Sequence, residues 1–150
     1  MADSRDALTA LYQPRIRELA ALMRGDRRLS NPSVSVTCRS PVCGSTLTLD
    51  LNIEDEKIIA IGWKVRACTL GMASLSISRC ACIGQSQAQI AAVEADLMHL
   101  LAGEDIRFHP PWDDLNLFVA AREFPSRFDS IRLPFRAIAE GLTSAPMGQI

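Results

Sequence analysis

Apolar residues recur at three- and four-residue steps from about Ser4 to Met23. Leu8, Leu11, Tyr12, Ile16, Leu19 and Met23 fall on one stripe, which predicts an amphipathic helix. Ser4 stands where a capping residue is expected. Pro14 lies inside the pattern, and its ring and missing N–H predict a kink or break near Gln13. Gly25-Asp26 closes the segment, and Leu29-Ser30-Asn31-Pro32 reads as a connector. The period then changes to two. Val34, Val36 and Cys38 alternate with polar residues, as do Leu47, Leu49, Leu51 and Ile53, and then Ile59, Ile61, Trp63 and Val65. Alternation of this kind predicts three strands with one apolar face, a sheet covered on one side. Glu54-Asp55-Glu56-Lys57 is short and polar, so the second and third strands form a hairpin.

After Cys68 the helical period returns. Leu70, Ala73, Leu75, Ile77 and Cys80 predict a helix rich in small residues that ends near Gly84. Ser86 caps a second helix with Ile90, Val93, Leu97, Leu100 and Leu101 on its stripe, and Gly103 ends it. Phe108 to Trp112 is irregular. A short helix is expected from Asp113 to Arg122, and a last one from about Arg127 to Glu140. Three strands followed by helices define an α+β fold, a three-stranded antiparallel sheet with helices packed on one face.

Composition narrows the possibilities. A chain of 150 residues, 48% hydrophobic, suits a single domain over 1–150, with a core at about 5–141 and a loose tail at 142–150. The formal net charge is −1, so no global field points to nucleic acid or an anionic membrane. The local cluster Arg24, Arg27, Arg28 reads as solvated surface. No run approaches the ~20 apolar residues of a membrane span. The first residues lack the apolar core of a signal peptide, so a cytoplasmic protein is expected, in which thiols stay reduced.

Five cysteines are present: Cys38, Cys43, Cys68, Cys80 and Cys82. Cys43 lies in a Pro- and Gly-containing loop between two strands, where Gly44 permits a tight turn or a close approach to a ligand. Cys68 stands where the third strand gives way to a helix, and the unpaired N–H groups there favour a thiolate. These two are the candidate reactive thiols. Cys38 shares the apolar strand face and reads as a small buried hydrophobe. Cys80 and Cys82 resemble a C-x-C pair, but neighbours two apart on a helix diverge. Cys80 would also lie ~18 Å along a helix from Cys68, so both read as packing residues. His99 and His109 read as structural. There is no Gly-rich phosphate loop, HExxH, GxSxG or CxxC.

An amphipathic N-terminal helix, Asn31-Pro32, three strands, Cys43-Gly44 in the first loop, and Cys68 followed by Ala73-Ser74 and Ser76 together resemble the IscU/SufU/NifU N-terminal scaffold family of iron–sulfur cluster assembly. Phe124-Pro125-Ser126-Arg127 is similar to the Phe-Pro-x-Arg that leads into the family's third cysteine. The extra length between Cys68 and that segment resembles the SufU-like branch. The likeness spans roughly residues 5 to 141.

The resemblance implies a site of three cysteines plus an aspartate two residues after the first. Family members bind a nascent iron–sulfur cluster or a zinc ion there and receive sulfur from a cysteine desulfurase. In SufU-like members zinc sits at the site and a cysteine accepts the persulfide. Thiolates suit both roles. This chain departs from the pattern: Ser45 holds the aspartate position, Ser130 the third cysteine position, and Asp129 the position before it. Cys43 and Cys68 are then the candidate persulfide acceptors and metal ligands. Asp129 is the carboxylate that would complete a minimal set, and Cys38 would join only by leaving the core face. The implied cofactor is an iron–sulfur cluster or zinc, or none where the missing ligands forbid it. The implied partners are a cysteine desulfurase and iron–sulfur client proteins. Two functions follow. One is an assembly protein, either scaffold or persulfide-sulfur acceptor. The other is a paralogue that has lost metal binding and modulates a protein partner. Neither is a conventional enzyme, though the first transfers sulfur.

Overall fold

The computed structural model describes residues 4 to 144. Two short helices open the chain, α1 (Ser4–Leu11) and α2 (Pro14–Ala21). The break falls where Pro14 demanded it: Gln13 is extended, and Pro14 occupies the first turn of α2, where a missing N–H costs nothing. Ser4 is helical rather than a cap. Ile16, Leu19 and Met23 are buried, but Leu8 of the expected stripe is exposed. Leu11, at the end of α1, is buried, so the stripe is lost only at Leu8.

Strands β1 (Val34–Arg39), β2 (Thr46–Glu54) and β3 (Lys57–Arg66) form one antiparallel sheet in the order β1-β2-β3. Asp55 and Glu56 both take positive φ, as a two-residue hairpin turn with the twist of the flanking strands requires. The expected alternation holds for Val36, Cys38, Leu47, Leu49, Leu51 and Trp63, which are buried. It fails at Ile59, which is exposed while Ile58 is fully buried. The cause is a register shift between Asn52 and Ile53: Asn52 faces Ala60 but Ile53 faces Ile58, leaving Ile59 as the extra residue of a bulge.

Helix α5 (Phe128–Ser144) lies against β1 and β2, α3 (Thr69–Ala81) packs between α2 and α5, and α4 (Gln87–Leu101) packs on α5. Ser86 and Gln89 form a reciprocal capping box at the start of α4. The short helix expected at Asp113 exists as a 3-10 helix, Asp113–Ala121. Gly141 does not end α5, which continues to Ser144. Of the tail expected at 142–150, the first three residues are therefore helical, and the rest lies outside the described residues. Gly141 lies against the sheet instead, where an added Cβ would come within 2.8 Å of the Leu51 side chain. The absent side chain serves helix–sheet approach rather than termination. One further expectation is corrected. Cys80 is exposed rather than packed, while Cys82 is fully buried. His99 is an exposed helix-end residue paired with Glu104. No helix among the described residues is long and apolar enough to cross a membrane.

Asp50 is a buried ion on the outer face of the sheet. Asp50 has no exposed side-chain surface, and its carboxylate accepts from Arg28 Nε at 2.7 Å and Nη2 at 2.9 Å, Ser35 Oγ at 2.5 Å and the Leu29 amide at 3.0 Å. The segment reaching it crosses β3 at Gly62, where a Cβ would meet Arg27 O at 2.6 Å and Leu29 N at 2.7 Å. This clamp ties the N-terminal connector to the sheet.

Candidate functional site

The residues singled out in the sequence converge at the end of the sheet where β1 turns into β2. The loop between them is tight. The Ser40 amide donates to Ser45 O at 2.8 Å, the Gly44 amide to Ser40 O at 2.9 Å, and Gly44 takes φ +74. Only a residue tolerant of the left-handed region closes such a turn readily, and the result is an exposed Cys43 over a buried floor. The floor is made of hydroxyls: Ser40, Ser45 and Ser130 are all buried.

Cys43 Sγ lies 2.9 Å from Ser45 Oγ, 3.0 Å from Ser130 Oγ and 3.3 Å from Ser40 Oγ. Burial pushes the thiol up, but the surrounding hydroxyls, Ser130 foremost, together with the Ser45 backbone outweigh it and bring Cys43 down to about 7. The three hydroxyls are not equal. Ser40 donates its single proton to Asp129 Oδ2 at 2.5 Å, so it has none left for the sulfur in that arrangement. Ser45 and Ser130 are the donors that stabilise the thiolate.

Cys68 reaches the same floor from the opposite side. It is the residue before α3, extended at its N-cap, and its Sγ donates to Ser130 Oγ at 3.4 Å. Both sulfurs therefore touch one hydroxyl, and their separation cannot exceed the sum of the two contacts. Ser130 is held there by close packing of α3 on α5. Ser74 Oγ donates to Ile131 O at 2.6 Å, and an added Cβ at Gly71 would come within 3.4 Å of Ser130 O. Around the two thiols runs an open cleft of about 520 Å³, lined among others by Val65, Arg66, Met72 and Arg127.

The other sequence candidates are turned away. Asp129 accepts from Ser40 and faces Arg136 Nη1 at 3.5 Å, so its carboxylate is occupied beside the site and does not join the thiols. Cys38 stays on the core face, its Sγ donating to Glu140 Oε2 at 3.1 Å, and burial together with that carboxylate pushes its thiol up to about 11. Burial pushes Cys82 up to about 12. Ser40 is a contributor that sequence reasoning missed, and Ser74 had entered only as a matching position of the resemblance. The turn chemistry of Ser40-Pro41 was the one available signal for the first.

Zinc or a cluster would need more donors than the cleft provides. Among the described residues no group of three or more His, Cys, Asp or Glu side chains is arranged to hold a metal ion. Two thiols and neutral hydroxyls do not complete the four-ligand shell of a structural zinc site, nor the four thiolates of a typical cluster. The donor set present does not fit either group.

Taken together, a three-stranded antiparallel sheet backed by helices and ending in a paired-thiol cleft defines a small α+β thiol protein. No protein-family model matches the chain. It is 24% identical over 115 residues to the iron–sulfur cluster assembly scaffold protein IscU of Streptococcus pyogenes serotype M1, covering 77% of this chain and 72% of that one. Its structure is similar to the N-terminal NifU-like protein of Brucella abortus, with a TM-score of 0.84, 28% identity, and coverage of 91% of this chain and 95% of that chain. The fold is also that of an assembly scaffold protein of the SUF system from Fervidobacterium islandicum AW-1, at TM-score 0.79 and 16% identity over 89% of this chain and 98% of that one. The chain is thus similar in sequence and fold to scaffold proteins of the IscU/NifU-like kind.

Proposed function

We propose that this protein acts in iron–sulfur cluster assembly as an acceptor of sulfane sulfur, with Cys43 as the accepting thiol. The observation that carries the reading is an exposed thiol, brought down to about 7, on a floor of serine hydroxyls where the donor set does not fit a metal. The family's role in cluster assembly supports the pathway. The missing ligands favour sulfur handling over the scaffold's metal-holding part.

The donor is a cysteine persulfide, for which a cysteine desulfurase is the proposed source. The Cys43 thiolate attacks the outer sulfur. A bond forms between Cys43 Sγ and that sulfur, the donor's S–S bond breaks, and the donor leaves as a thiolate. No net oxidation occurs. Ser45 and Ser130 hold the attacking sulfur ionised, and a thiol whose pKa lies near ambient pH combines a good thiolate fraction with good nucleophilicity. Arg66 and Arg127 line the cleft and favour an anionic persulfide there.

The test is incubation without oxygen with a cysteine desulfurase and free cysteine, followed by mass spectrometry. The wild-type chain should gain one sulfur atom mapped to Cys43, and Cys43→Ser should gain none at that position. A wild-type chain that gains no sulfur there overturns the proposal. If it nonetheless alters the desulfurase rate, the modulator function is favoured instead.

A further inference from the structure

Cys68 has no part in accepting sulfur as described, yet its thiol shares the Ser130 hydroxyl with Cys43. Cys68 Sγ donates to Ser130 Oγ at 3.4 Å, and that oxygen lies 3.0 Å from Cys43 Sγ. The two thiols come from different elements, the exposed loop after β1 and the residue before α3, so nothing in the local chain requires them to meet. No third ligand among the described residues engages them as a metal centre would. Cys43 is exposed, so no core packing blocks rotation of its side chain. A disulfide needs its sulfurs about 2.05 Å apart, which requires Cys43 to swing from the hydroxyl floor toward Cys68.

We propose that Cys68 is a resolving thiol that releases the accepted sulfur as sulfide. The step rests on the sulfur-accepting reading above and carries it further. Cys68 Sγ attacks Cys43 Sγ of the Cys43 persulfide anion. The Cys43–Cys68 S–S bond forms, the bond from Cys43 to the outer sulfur breaks, and the outer sulfur departs as hydrosulfide. Its proton is the one Cys68 loses, passed through Ser130, which accepts from Cys68 and donates toward Cys43. The electrons balance without an outside reductant for one turnover. The two cysteine sulfurs are oxidised together by two electrons, and the sulfane sulfur takes both to become sulfide. A second turnover needs an external dithiol to reduce the disulfide. In this scheme the missing metal ligands have a use: they leave both thiols free for the exchange.

The test compares full-length chains in a Cys80→Ser background, which removes the other exposed thiol. One carries Cys68 and the other Cys68→Ser; serine is a favoured residue before a helix, so this variant should fold. Each is loaded without oxygen with glutathione persulfide, desalted, and followed by sulfide release and intact mass. The chain with Cys68 should release about one sulfide per chain and end two hydrogens lighter than the reduced protein, with peptide mapping showing a Cys43–Cys68 link. The Cys68→Ser chain should keep its added sulfur and release sulfide at least about tenfold more slowly. Equal release from both loaded chains, or release without the Cys43–Cys68 link, overturns the resolving role and leaves sulfur acceptance standing. Failure of both chains to take sulfur at Cys43 overturns sulfur acceptance and this step with it.

Discussion

Asp50 offers the sharpest test of how the fold is held. Its carboxylate is fully buried on the outer sheet face and depends on residues 28 and 29 for three of its four hydrogen bonds. The Arg28 hydrogen bonds are the largest influence and lower its pKa; burial opposes them, and Ser35 and the Leu29 amide add to the lowering. The outcome is a carboxyl brought from 3.8 down to about 2. A tenfold change in proton affinity is worth about 1.4 kcal/mol, so ionised Asp50 contributes on the order of 2 kcal/mol to folding at neutral pH. The sign follows from proton uptake. The folded carboxyl binds its proton less readily than the unfolded one, so the contribution is complete above the unfolded value and is lost as pH falls from 3.8 through about 2. Asp50→Asn keeps the shape but removes the charge, and its NH2 group would face the Arg28 donors or the Leu29 amide. Denaturant unfolding of both proteins should show a gap of about 2 kcal/mol at neutral pH that narrows as the acid window is crossed. A gap that stays constant to the acid end of the window, or no gap at neutral pH, would refute the account of Asp50 as an ionised, clamped residue.

The remaining predictions concern the thiols. The rate of Cys43 alkylation by iodoacetamide, read by peptide mass, should rise with pH around a midpoint near 7. Ser45→Ala or Ser130→Ala should each move that midpoint up by about one pH unit, since a hydrogen bond to a charged group is worth roughly 1.5 kcal/mol. Ser40→Ala should move it less, because Ser40 gives its proton to Asp129; a larger effect there than at Ser45 would show the donor assignment to be wrong. The double change Ser45→Asp and Ser130→Cys adds a carboxylate and a third thiol at positions already in contact with Cys43. Elemental analysis after anaerobic purification should then show tight, near-stoichiometric metal absent from wild type, with a higher Tm; equal metal in both would refute the fit argument. Cys80→Ser should leave stability unchanged, while Cys82→Ser should cost about 1 kcal/mol or more, because it places a hydroxyl in a fully buried position; thermal unfolding separates the two.

What the sequence determined by itself was local and periodic. Period-two runs at Val34–Cys38 and Leu47–Ile53 could only be strands with one buried face, because a helix would scatter those side chains around its axis. Pro14 imposed its break through the missing N–H, and Ser86 marked a helix start. The reactive-thiol candidates were legible too, from a loop glycine beside Cys43 and a strand-to-helix junction at Cys68. Tertiary structure decided everything that depends on which surfaces meet. A bulge turned Ile58 inward and Ile59 outward, reversing an alternation that looked regular along the chain. Gly141 and Gly62, which in sequence resemble terminators or flexible points, are places where another backbone or side chain comes too close for a Cβ. Asp129 stood next to Ser130 in sequence and seemed able to join the thiols, yet Ser40, from 89 residues earlier in the chain, holds its carboxylate aside. The character of Cys43 likewise comes from Ser130, 87 residues away. A thiol's acidity reflects the donors that folding brings within about 3 Å, and sequence spacing carries no information about those once they lie on separate elements.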